Sequence, residues 1–172
     1  VLFAKQQLVD WGIRSDDFLV CLHPGASSFD KRWPEENYTQ VADQLVREYK
    51  AKILILRGPE ETELTRNIQK AMASPSIAYG PESIRELAAL LKCCDLVLCN
   101  DSGPMHIAAA VGTPVVALFG PTDPERTGPL GDRHTVLRRD LSCSPYWRRG
   151  MDDEQWRSVK KQFVVAMEGD TA

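Results

Sequence analysis

Apolar residues fall into two alternating patterns along this chain. Short unbroken runs at Phe18-Leu19-Val20-Cys21-Leu22-His23, Ile53-Leu54-Ile55-Leu56, Asp95-Leu96-Val97-Leu98-Cys99 and from Pro114 to Phe119 are each closed by Gly, Pro or Asn. Runs of this length, apolar at nearly every position, predict strands buried on both faces. Between them the apolar positions recur at three- and four-residue intervals. From Glu35 to Tyr49 the residues Tyr38, Val41, Ala42, Leu45, Val46 and Tyr49 share one helical face. From Glu60 to about Ala73 an acidic first turn precedes Leu64, Ile68 and Met72. Ser83 and Glu86 have the spacing of a capping box ahead of Ile84, Leu87, Ala88 and Leu91. A further helix runs from Pro104 to Val111, where Gly112 and Pro114 stop it.

Weaker signals complete the list of elements. Short strands are expected near Ile77 to Tyr79 and Thr135 to Leu137, with a Gly/Pro-rich loop from Gly120 to Asp132. Trp156, Val159, Phe163 and Met167 predict a C-terminal helix over Asp153 to Met167. Residues 1–17 read as a helix or linker arriving from elsewhere, and residues 18–172 as one domain. Strands that alternate with helices predict an α/β fold, a doubly wound parallel sheet with right-handed crossovers. Ligands of such sheets bind at the carboxyl ends of the strands, where the strand order reverses.

Composition narrows the function classes. Net charge is −3 over 172 residues, so no nucleic-acid partner is expected. The apolar runs fall far short of the ~20 residues that a membrane-crossing helix needs. No signal-peptide pattern opens the chain, which begins Val1-Leu2-Phe3-Ala4-Lys5 without an initiator Met, as a piece of a longer protein would. The five cysteines contain no Cys-x-x-Cys pair, so buried free thiols are expected and metal or redox chemistry is not. Neither a dinucleotide glycine fingerprint, a P-loop nor a nucleophile elbow is present. No metal site is expected.

Four strand ends carry candidate chemistry. In Asn100-Asp101-Ser102-Gly103-Pro104-Met105-His106 a strand turns into a helix. Pro104 suits a first helical position, and the N–H groups of Ser102, Gly103 and Met105 are expected to cradle an anion at the positive end of the helix dipole. Asp101 is placed to bond sugar hydroxyls, and His106 lies within reach of the same pocket. The plain alternative is that Asp101 and Ser102 only cap the helix. In the loop from His23 to Pro34, Ser27 and Ser28 offer hydroxyls and Lys31 a mobile cation for a diphosphate; His23 reads as structural. Glu60, in Arg57-Gly58-Pro59-Glu60, either accepts bonds from ribose hydroxyls or only complements a helix dipole. Phe119-Gly120-Pro121-Thr122-Asp123-Pro124 is a stiffened loop that lines a pocket or only turns the chain.

Together these loops resemble glycosyltransferase family 9, the bacterial heptosyltransferases of lipopolysaccharide core assembly. The residues that carry the resemblance are His23-Pro24-Gly25-Ala26 with Lys31-Arg32-Trp33-Pro34, Arg57 to Glu60, Asn100 to Ala110, Gly112-Thr113-Pro114, and Leu118 to Pro124. The resemblance implies a GT-B enzyme of two Rossmann-like domains, of which this chain is the C-terminal, donor-binding one, the N-terminal acceptor domain lying outside it. It implies ADP-heptose as donor, a lipopolysaccharide core acceptor met through the other domain, no resident cofactor, and a cytoplasmic location at the inner face of the inner membrane, with peripheral membrane association allowed. By position, Lys31 contacts the diphosphate, Glu60 the ribose and Asp101 the heptose. Ser102 and Gly103 supply backbone N–H groups, and Met105 and His106 complete the pocket. The base is expected in the other domain, so no catalytic set is complete here. Cys143-Ser144-Pro145-Tyr146 departs from relatives with a second cysteine there. Two other readings stay open: half of a GT-B enzyme that uses a UDP- or GDP-sugar, such as an epimerase, and a doubly wound module without catalysis.

Overall fold

The computed structural model describes residues 2–139. The expected helix at 153–167 and the Cys143 to Tyr146 loop lie outside those residues. Within them, helices alternate with six strands: α1 (Leu2–Asp10), β1 (Leu19–His23), α2 (Glu35–Tyr49), β2 (Lys52–Leu56), α3 (Thr62–Ala71), β3 (Ser76–Tyr79), α4 (Ile84–Leu91), β4 (Leu96–Asn100), α5 (Gly103–Ala110), β5 (Val115–Phe119), α6 (Pro124–Thr127) and β6 (Thr135–Arg138). All six strands pair in parallel, in the order β3-β2-β1-β4-β5-β6. The doubly wound sheet predicted from the strand–helix rhythm is therefore present.

Two elements go beyond the expected set. A single 3-10 turn, Phe29–Lys31, interrupts the β1–α2 loop, and α6 forms inside the segment expected to be loop. Asp123 starts α6 by accepting the Glu125 N–H at 3.0 Å, and Pro124 takes the first helical position. Periodicity misses such elements because four residues cannot display a repeat of 3.6.

The strands read as unbroken apolar runs because both of their faces are covered. In β1, Leu19 and Cys21 point into one core with Leu54, Val97, Met105 and Phe119. Val20 and Leu22 point into the other with Tyr38, Ile53, Ile55 and Ile68. Every residue of β1 is buried. Truncating any one of these large side chains to Ala removes ~2–5 kcal/mol. In the N-terminal segment Ala4 and Ile13 are buried, and Trp11 meets Tyr79 edge-on at 5.1 Å. Cys21, Cys94 and Cys99 are buried free thiols, and Cys93 is partly so. Burial, then the nearby Asp101 charge, pushes the Cys99 thiol up to about 12.

Candidate functional site

The strand order reverses between β1 and β4. From β1 the chain winds outward to β3, then returns to the other side of β1 and winds outward to β6. The loops that leave β1 and β4 therefore diverge and open a crevice at their carboxyl ends. Asn100, the last residue of β4, ties these loops together. It is fully buried, donates to the carbonyls of Pro24 at 2.8 Å and Gly25 at 3.3 Å, and accepts the Trp33 N–H at 3.1 Å. Its amide thus satisfies loop backbone that would otherwise be orphaned under the crevice.

On the β5 side of the crevice, Lys31 Nζ donates to Asp101 Oδ2 at 2.7 Å. The hydroxyl of Thr122 donates to the same oxygen, also at 2.7 Å. The Asp101 side chain is only 7% exposed, and that of Lys31 is 22% exposed. Two residues that are 70 positions apart in the chain, and were singled out separately, are in direct contact.

At the start of α5, Ser102 has the extended backbone of a cap, yet its side chain caps nothing. Its hydroxyl donates to Asn100 O at 3.0 Å and lies 3.3 Å from His23 Nδ1. Neither Ser102 nor Gly103 has a backbone partner for its N–H among the described residues. Gly103 is exposed, and a Cβ there would meet no protein atom within 4 Å. The expected anion cradle is thus narrower by one group: the Met105 N–H bonds to Ser102 O at 3.2 Å, and the Met105 side chain is fully buried in the core. Met105 faces inward because one helical turn must pack α5 onto the sheet. His106 is exposed on α5.

On the β2 side, a cavity of about 420 Å³ opens between the ends of β2 and β3 and the start of α4. His23, Arg57, Pro59, Pro81, Ile84 and Pro104 are among its walls. Glu60 is exposed on the turn before α3, and neither it nor Glu61 is among the residues that line the cavity. Glu61 is the carboxylate that turns inward. It accepts the Gly58 N–H at 2.7 Å and faces His23 Nε2 at 3.5 Å. Burial pushes the Glu61 carboxyl up, but bonds from His23 and Gly58 and the charges of His23 and Arg32 outweigh it and hold it below the ordinary value. Gly25 makes room: a Cβ there would fall on the Glu61 carboxylate.

Ser27 is exposed, and Ser28 precedes the 3-10 turn with no capping bond from its side chain. Residue-by-residue reading missed Glu61, Thr122 and the tying role of Asn100. Thr122 had a signal, since it lies in the stiffened loop noted above. Glu61 had none, because adjacent glutamates ahead of a helix look alike until the backbone aims them. His23, read as structural, is buried yet forms part of the cavity wall.

Among the described residues no cluster of His, Cys, Asp or Glu is arranged to hold a metal, and no helix is long and apolar enough to cross a membrane. The chain is 33% identical over 135 residues to lipopolysaccharide heptosyltransferase 2 of Salmonella typhimurium, a match that covers 75% of this chain and 38% of that protein. A family 9 glycosyltransferase structure from Veillonella parvula superposes with a TM-score of 0.77 at 29% identity, covering 98% of this chain and 50% of that one. The ADP-heptose LPS heptosyltransferase II of E. coli superposes with a TM-score of 0.73 at 25% identity, covering 92% and 51%. The chain thus spans between 38% and 51% of the length of these relatives. The model of glycosyltransferase family 9 (heptosyltransferase) matches residues 3–157, and the chain belongs to that family.

Proposed function

We propose that this chain is the donor-binding half of an inverting heptosyltransferase of lipopolysaccharide core synthesis, with ADP-heptose as its donor. The observation that carries the reading is the meeting of Lys31, Asp101 and the uncapped start of α5 in one crevice beside an open cavity. The diphosphate sits over the N–H groups of Ser102 and Gly103, where the helix dipole favours an anion. The adenosine lies towards the cavity at the ends of β2 and β3, with the turn that carries Glu60 beside the ribose. The sugar faces Asp101. Ser27, Ser28 and His106, on the rim, close over the diphosphate and sugar.

In the reaction an acceptor hydroxyl attacks the anomeric carbon as the bond from that carbon to the diphosphate oxygen breaks. ADP leaves with the electron pair, and the hydroxyl proton passes to a base outside this chain. The contribution of this half is electrostatic: Lys31 and the start of α5 take up charge that develops on the leaving diphosphate. The nucleotide sugar is substrate, and no resident cofactor is part of the proposal. The acceptor is the lipopolysaccharide core, met through the rest of the protein at the cytoplasmic face of the inner membrane, with peripheral attachment there.

Calorimetric titration of the 172-residue chain tests the reading. ADP and ADP-heptose are expected to bind, and UDP and GDP to bind more weakly. Preference for UDP or GDP would favour the other GT-B readings. Indifference to every nucleotide at millimolar concentration would leave a doubly wound module without a donor site.

A further inference from the structure

The loop after β5 carries a side chain that the donor-site reading leaves without a task. Thr122 is buried, and its hydroxyl donates to Asp101 Oδ2 at 2.7 Å. Lys31 Nζ donates to that same oxygen at 2.7 Å. One carboxylate oxygen thus holds two donors from two loops, and they differ in freedom. Lys31 ends a flexible four-carbon stem and is partly exposed. Thr122 is short and β-branched, so its χ1 is stiff. Pro121 before it and Pro124 after it restrict the backbone, and Asp123 caps α6.

We propose that Thr122 is a positioning residue, which holds the Asp101 carboxylate in place while Lys31 leaves it for the donor diphosphate. This rests on the donor-site reading above. An arriving diphosphate competes with Asp101 for the Lys31 ammonium. A buried carboxylate stripped of its cation and of every hydrogen bond is strongly destabilised and turns towards any other donor or water. The Thr122 hydroxyl does not supply charge, but it keeps one bond on the oxygen that Lys31 vacates. Asp101 is then held for the sugar hydroxyls while Lys31 is engaged elsewhere. In this arrangement Thr122 touches neither sugar nor phosphate.

The test is titration of ADP and of ADP-heptose into the full chain and its Thr122→Val and Thr122→Ser variants. Valine keeps volume and branching and removes only the hydroxyl. Thr122→Val is expected to weaken ADP-heptose binding about tenfold and ADP binding less than about threefold, as loss of a bond to a charged partner on the sugar side alone would do. Thr122→Ser keeps the preference for ADP-heptose over ADP. That preference is a ratio, which a loss of folding alone does not move. An unchanged ratio in Thr122→Val overturns the proposal, as does a ratio lost equally in Thr122→Ser. Should Thr122→Val not fold, Thr122→Ala carries the same expectation. A wild-type chain that binds neither ligand overturns the donor-site reading and this one with it, whereas normal wild-type binding with an unchanged variant ratio removes Thr122 alone.

Discussion

Helices α4 and α5 begin alike and end up doing opposite things. Both open on a serine in the same extended conformation, Ser83 at φ −144° and Ser102 at φ −153°. In α4 the serine accepts the Glu86 N–H at 3.2 Å, and Glu86 reaches back to the Glu82 N–H at 2.9 Å. That is a capping box with its return bond one residue early, and it satisfies the helix start from within. In α5 the serine hydroxyl is turned away to Asn100 O, and the first turn holds no acidic residue. The α3 start behaves like that of α5: its cap residue Glu61 spends its carboxylate on Gly58 and faces His23 rather than capping the helix. A helix start without a side-chain cap leaves its first N–H groups and the positive end of its dipole open to water or an anion.

Four experiments press on that contrast, the largest expected effect first. In the whole enzyme, Lys31→Ala is expected to lower turnover about 100-fold, the scale set by removal of one preorganised donor. The chain itself loses ~1–3 kcal/mol of stability by denaturant unfolding, because Asp101 keeps Thr122 but loses its cation. Losses of activity and stability in equal proportion would make Lys31 structural.

Gly103→Asp gives α5 the acidic first turn that α4 already has. The new side chain has room, so the melting temperature is expected to hold or rise slightly, while ADP affinity falls about tenfold or more through repulsion at the dipole. Unchanged ADP binding would remove the anion from this helix start.

For Glu61 the sign follows from its lowered carboxyl. A group held below its ordinary value of 4.5 stabilises the fold fully above that value, and the contribution disappears as pH falls through the lowered one. Unfolding curves from about pH 6 down to about pH 3 are expected to be less steep in pH for Glu61→Gln than for the wild type. Equal slopes would show that Glu61 is not held as described.

The smallest effect separates the two serines. Ser83→Ala is expected to cost about 1 kcal/mol of stability, as loss of a cap does. Ser102→Ala costs clearly less, since its hydroxyl bonds no helix N–H. Matching losses would erase the distinction on which the comparison stands.

Legibility in the sequence followed how local each feature was. The capping box of α4 was readable because its spacing is contained in four residues, and the uncapped start of α5 was readable as a strand–Pro–helix junction. Its cradle was over-counted by one N–H, because the Ser102 to Met105 bond belongs to the turn geometry. The inward turn of the Glu61 carboxylate was not readable for want of the backbone direction after Pro59. The segment 1–17 was readable as a helix or linker, but the packing of Trp11 on Tyr79 depends on a residue more than 60 positions away.

By itself the sequence determined the strands, the main helices and the side of the sheet on which chemistry collects, because burial on both faces demands unbroken apolar runs and loops at strand ends must be polar. It also determined the family, through motifs held in order at four strand ends. Only the tertiary structure decided which side chains meet there. Lys31 reaches Asp101, Glu61 turns in to Gly58 and His23, Thr122 joins from the loop after β5, and Met105 is buried in the core. The physical reason is range: a 2.7 Å contact between loops 70 residues apart is set by strand register and crossover, which no local spacing encodes.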